Sequence, residues 1–166
     1  MQVDFTNSSI LVKSFYKGWL LNPYFDNGKA GGVYAASTAT ITNLTPFPDI
    51  TNDDEWVYRS VPSQWISHVK SCVFIALAPR TMRDLLKVRM RVFRGNKELL
   101  LHCKPKLNQS KMSYLRAYVK NLIKKPLHAP HFIFFALVSM WLRIRYRCGW
   151  YNNDWGKDNS TRFFME

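Results

Sequence analysis

Residues 68–99 read HVKSCVFIALAPRTMRDLLKVRMRVFRGNKEL, and the way this stretch divides decides the fold. VFIALA (73–78) is an unbroken apolar run of strand length that stops at Pro79, so residues 68–80 read as one buried strand. Thr81 then reads as the N-cap of a strongly basic helix. In that helix Met82, Leu85, Leu86, Val88, Val92 and Phe93 cover one broad side, while Arg83, Lys87, Arg91 and Arg94 lie mostly on the other. Gly95-Asn96 is expected to stop or bend it.

Upstream, ILVKSFYKGWLL (10–21) has apolar residues at roughly helical spacing and ends at Asn22-Pro23, which predicts a short amphipathic helix. YFDNGKAGG (24–32) reads as a loop, VYAASTATI (33–41) as a strand or a short turn of helix, and TPFPDITNDD (45–54) as a loop again. Asp53, Asp54 and Glu55 then form an acidic triplet. Its plainest account is a helix N-terminus, with Asp53 or Asp54 as cap and carboxylates favoured by the helix dipole.

Downstream, SYLRAYVKNLIKK (113–125) is a second basic amphipathic segment, closed by Pro126. In PHFIFFALVSMWLRIRYR (130–147) the eleven residues from Phe132 to Leu142 contain only Ser139 as a polar residue. That is short of the roughly 20 a spanning helix needs. With His131, Arg143, Arg145 and Arg147 flanking it and Trp141 at its boundary, the segment fits an interfacial or re-entrant helix better than a span.

The charge is placed unevenly. Of a net +13 on 166 residues, Arg80–Arg147 holds 17 Lys and Arg against Asp84 and Glu98, whereas Met1–Pro79 holds five basic and six acidic residues. Such a field attracts phosphate, in anionic lipid headgroups or in nucleic acid. The aromatics concentrate in the apolar run and form no evident stacking platform, which favours lipid and makes nucleic acid the weaker candidate. Apolar residues at 47% exclude a disordered chain. Cys72, Cys103 and Cys148 are odd in number and far apart, and His68, His102, His128 and His131 lack ligand spacing. A disulfide framework and a zinc site are therefore unsupported, and a reducing compartment fits. MQVDFTNSS shows no signal-peptide pattern, so the cytoplasmic side is expected.

Four landmarks follow in order: GGVYAAS (31–37), FPDITNDDEWV (47–57), APRTMRDLLKVRMRVFRGNKEL (78–99) and WGKDNSTRF (155–163). Together they resemble the C-terminal half of family 2 glycosyltransferases of the GT-A type, in the membrane-associated bacterial branch, over about Leu11 to Arg162. The resemblance implies an α/β fold, with residues 1–79 forming part of a GT-A catalytic region and residues 80–166 forming basic amphipathic helices and a membrane-interfacial segment.

It also implies sugar transfer, with inversion, from a nucleotide-diphosphate donor to a lipid-linked or polysaccharide acceptor at the cytoplasmic membrane face. Asp54 would be the general base that takes the acceptor's hydroxyl proton, with Asp53 in support. Gly31, Gly32 and Tyr34 would line the sugar and acceptor pocket. Arg89, Arg91 and Arg94 would stabilise the departing diphosphate. The family holds a divalent cation, Mg or Mn, on a DxD motif, and none of these 166 residues forms one. A separate N-terminal, donor-binding half is the expected partner. The other class open to the sequence is a non-catalytic basic protein of the membrane surface, or one that binds nucleic acid.

Overall fold

A computed structural model describes residues 2–23, 34–67, 69, 71, 73–103 and 111–151. In chain order these form β1 (Gln2–Asp4), α1 (Ile10–Trp19), α2 (Thr38–Leu44), α3 (Asp53–Ser60), β2 (Ile75–Leu77), α4 (Met82–His102), α5 (Lys111–Lys124) and α6 (Ala129–Arg147). Single 3-10 turns occupy Ser63–Trp65 and Pro126–His128.

The expected α/β architecture is not what forms. Among the described residues the sheet consists of β1 and β2 alone, paired in parallel with Val3 opposite Ala76, and the rest of the regular structure is helical. The GT-A reading of the fold falls with it. The apolar run of residues 73–78 is strand over only three residues. Ile75 and Leu77 are more than half exposed, and Ala76 faces inward between them. A buried parallel strand needs both faces covered and neighbours on its edges; this one has a single three-residue neighbour, so its larger side chains stay out.

The short sheet nevertheless fixes where two helices start. Ala78 N donates to Asp4 O at 2.8 Å, the buried Ser8 hydroxyl donates to Pro79 O at 2.8 Å, and Ser9 N donates to Arg80 O at 2.9 Å. The entry to α1 is thus tied to the entry to α4. Thr81 caps α4 as its sequence predicts: its hydroxyl oxygen accepts from Asp84 N at 3.2 Å, and the hydroxyl donates to Asp84 Oδ2 at 2.6 Å.

The core lies where α1 crosses α6 over α4. Val12, Phe15 and Tyr16 of α1 meet Val138 and Leu142 of α6, Leu85 and Met90 of α4, and Ala78. The aromatic contacts are angled, Phe15 with Phe135 at 5.3 Å and 61° and with Tyr16 at 5.6 Å and 85°, arrangements that suit ring quadrupoles. Gly18 sets the closeness of the crossing. A Cβ there would collide with the carbonyl oxygen of His131 and stand 2.9 Å from Phe135 Cβ. Beside it the Ser14 hydroxyl and His131 Nδ1 hydrogen-bond at 2.8 Å.

Two further expectations change. Gly95-Asn96 does not stop α4, which runs on to His102. Tertiary contact at Gly95 outweighs the roughly 1 kcal/mol that a mid-helix glycine costs. The apolar segment 132–142 sits inside a longer helix, and Pro126–Arg147, 22 residues, is long and apolar enough by length and composition to cross a membrane.

Candidate functional site

The acid pair stands at the first turn of α3, and the helix forms because of what precedes it. Asn52 is the N-cap, yet its side chain caps nothing. Its Nδ2 reaches across to α4, donating to Asn96 Oδ1 at 2.9 Å and to Val92 O at 3.3 Å. The acids therefore meet the open N–H groups themselves, with Asp53 Oδ1 accepting from Asp54 N at 2.9 Å and Asp54 Oδ1 from Glu55 N at 2.8 Å. This is the helix-terminus arrangement that adjacent carboxylates favour. Glu55 is committed to Arg59, Oε1 to Nε at 2.8 Å, one turn on.

The residue before Asn52 is fastened to the same helix. Thr51 donates to Glu98 Oε2 twice, from its hydroxyl at 2.8 Å and from its backbone N–H at 3.2 Å. Between these ties lies Gly95, where a Cβ would come within 2.6 Å of Asn52 Oδ1 and 2.9 Å of Thr51 Cβ. Val92, Gly95, Asn96 and Leu99 recur at the spacing of one helix face, so the loop lies along α4. The structure thus brings the ITNDD and GNKEL segments together.

The three arginines do not act as one group. Arg89 is turned into the core, its guanidinium 5.0 Å from the Trp19 ring centre and 5.5 Å from that of Phe15. The residue as a whole is only partly covered, but its charged end is desolvated. Burial lowers its pKa, while the Tyr16 and Tyr118 hydroxyls act in the opposite sense. Cation–π contact of this kind satisfies an arginine within a packed core. Arg89, expected from the sequence beside the leaving diphosphate, thus packs against Phe15 and Trp19. Arg91 and Arg94 are separated from it by roughly 140–160° round the helix. They lie within one turn of Val92 and Asn96, where Asn52 docks. The Arg94 guanidinium also lies 5.5 Å over the Tyr151 ring.

Of the expected pocket wall, Gly31 and Gly32 lie outside the described residues. Tyr34 is 51% exposed ahead of α2, a helix that buries none of its residues. No contact joins Tyr34 to the acid pair among the described residues. The tail WGKDNSTRF also falls outside them.

The sequence lacks DxD, and no three His, Cys, Asp or Glu groups converge among the described residues.

Sequence reasoning missed Thr51, Asn52 and Glu98 as fasteners. Gly95 was the available signal: a glycine inside an otherwise periodic helix marks close approach of another segment. No family model, curated protein or solved structure matches the chain.

Proposed function

We propose that this chain supplies the acceptor side of a glycosyl transfer, moving a sugar from a nucleotide-diphosphate donor to a lipid-linked or polysaccharide acceptor, together with a donor-binding partner. The observation that carries the reading is the docking of Thr51 and Asn52 on α4 through Gly95, Asn96 and Glu98. It sets Asp54 on a helix whose start is anchored within a turn of Arg91 and Arg94.

In this mechanism Asp54 accepts the proton of the acceptor hydroxyl as that oxygen attacks the anomeric carbon. The bond from that carbon to the diphosphate oxygen breaks, and the electron pair leaves with the diphosphate. Arg91 and Arg94 stabilise the charge that develops there. Asp53 holds the first turn of α3, and so orients Asp54 by way of the backbone.

The test is transfer of labelled sugar from a panel of nucleotide sugars into a lipid extract. Membranes carrying this chain are assayed with and without a donor-binding partner. Asp54→Asn is expected to lower transfer by about 10²–10⁴-fold, the usual worth of a general base, with the fold retained. Transfer that survives Asp54→Asn would remove the proposed base. Absence of transfer in every arm would favour the second reading, a non-catalytic basic protein of the membrane surface. That reading draws on the net charge of +13 and on the open apolar face of α6.

A further inference from the structure

The face of α6 turned away from α1 carries Ile133, Leu137, Met140, Trp141 and Ile144, each between 40% and 58% exposed. Their three- and four-residue spacing makes one stripe, about 16 Å long at about 1.5 Å per residue. Leu127, 88% exposed, extends it past the helix start. The opposite face is already filled, with Val138 and Leu142 in the core and Phe135 against Phe15. Exposed cations stand at both ends, Lys124 and Lys125 before the stripe and Arg143 and Arg147 at its close. The Arg145 guanidinium covers the Trp141 ring at 4.7 Å, pairing an interfacial aromatic with a cation.

We infer that this stripe docks α6 in the plane of an anionic bilayer. Ile133, Leu137, Met140 and Ile144 enter the acyl boundary, and Lys124, Lys125, Arg143 and Arg147 sit on the lipid headgroups. Charge selects the partner: an apolar stripe bordered by cations, on a chain of net charge +13, is complementary to anionic lipid. Packing selects the orientation. Pro126–Arg147 is long and apolar enough to cross a membrane by length and composition, but crossing would strip α1 from the other face of α6, along with the Ser14–His131 hydrogen bond. The inference holds whether or not the chain takes part in glycosyl transfer.

The test uses the full chain with vesicles of phosphatidylcholine alone or mixed with phosphatidylglycerol. Sedimentation is expected to show binding at least tenfold tighter to the anionic vesicles. The double substitution Ile133→Asp and Leu137→Asp should weaken it at least tenfold with the circular dichroism unchanged. Lys124→Glu with Arg147→Glu, which leaves every apolar contact in place, should do the same. The fluorescence component lost in Trp141→Phe should be quenched best by lipids brominated near the headgroup. Equal binding to both vesicle types, or binding indifferent to both variants, overturns the inference. Quenching strongest from bromines at the acyl terminus overturns it in favour of a crossing helix. Self-association without vesicle binding, lost in the Asp variant, assigns the stripe to a second copy instead.

Discussion

The crossing of α1 on α6 and the docking of residues 51–52 on α4 are both built on a glycine, but they are held in different ways. At Gly18 the space a Cβ would need is taken by the carbonyl oxygen of His131 and by Phe135. These are parts of a helix packed on Phe15 and Val12, two of the fully buried side chains among the described residues. At Gly95 the space is taken by the side chains of Asn52 and Thr51, which are held by hydrogen bonds to Val92, Asn96 and Glu98. Burial holds the first region and polar fastening the second. α3 contributes one buried residue, Val57, and α2 none, so the segment bearing the acid pair can open without the core opening.

The largest effect expected from this contrast is at Gly18. Gly18→Ala gains roughly 1 kcal/mol of helix propensity. The new methyl, however, meets backbone that cannot rotate aside, so the helices must part and the Phe15–Phe135 contact opens. Overpacking of this kind costs about 1–3 kcal/mol, and a lower denaturation midpoint with an unchanged slope is the expected result. Stability equal to or above that of the parent would mean the crossing is looser than the structure draws it.

The two regions were also legible in the sequence to different degrees. Apolar spacing in residues 10–21 and 81–99 predicts α1 and α4, and Thr81 predicts the cap, because these depend on residues a few positions apart. The strand over residues 68–80 failed for a non-local reason. Strand length and apolarity say nothing about whether neighbours exist to cover Ile75 and Leu77. Among the site residues, the acid triplet was read as a helix start, but the helix begins at Asp53 with Asn52, and not Asp53 or Asp54, as its N-cap. Arg89 was not separable from Arg91 and Arg94, since only the position of Phe15 and Trp19, seventy residues upstream, shows which arginine turns inward. Asn52–Asn96 and Thr51–Glu98 are likewise long-range polar pairs with no local signal.

A smaller effect is expected at the start of α4, the helix shared by both regions. Thr81→Ala removes the hydroxyl that caps Asp84 N and donates to Asp84 Oδ2, a loss of about 1 kcal/mol. The hydroxyl is the main cause that lowers the Asp84 carboxyl below its ordinary value, with Lys87 adding to it against some desolvation. A folded-state pKa below the unfolded one means the contribution is present above the unfolded value, near pH 4. It is lost as pH falls through the folded one. Acid titration of stability should therefore show the gap between Thr81→Ala and the parent narrowing below about pH 4 to the part due to the cap of Asp84 N, and an undiminished gap would assign the cap's worth to something other than the charged carboxylate. The Gly95 docking lies over three turns away, and amide exchange in α3 should not change.

Gly95→Ala should have the smallest effect on global stability, and it separates the two regions most cleanly. The added methyl runs into the Asn52 side chain, whose end can rotate away, and into Thr51 Cβ at 2.9 Å, so the 51–52 segment must lift, while α4 itself is not strained and gains the roughly 1 kcal/mol that alanine holds over glycine. Against this stands the loss of the Asn52 hydrogen bonds, net about 1 kcal/mol, so the denaturation midpoint should barely move. Amide exchange across residues 51–60 should nonetheless rise several-fold, and Glu98→Ala, which leaves the helix glycine alone, should reproduce that rise by freeing Thr51. The same alanine substitution would then be damaging at Gly18 and almost silent at Gly95. If Gly95→Ala instead unfolds the chain as a whole, the acid-bearing segment is a structural part of the core, and its role as a separately held site has to be abandoned.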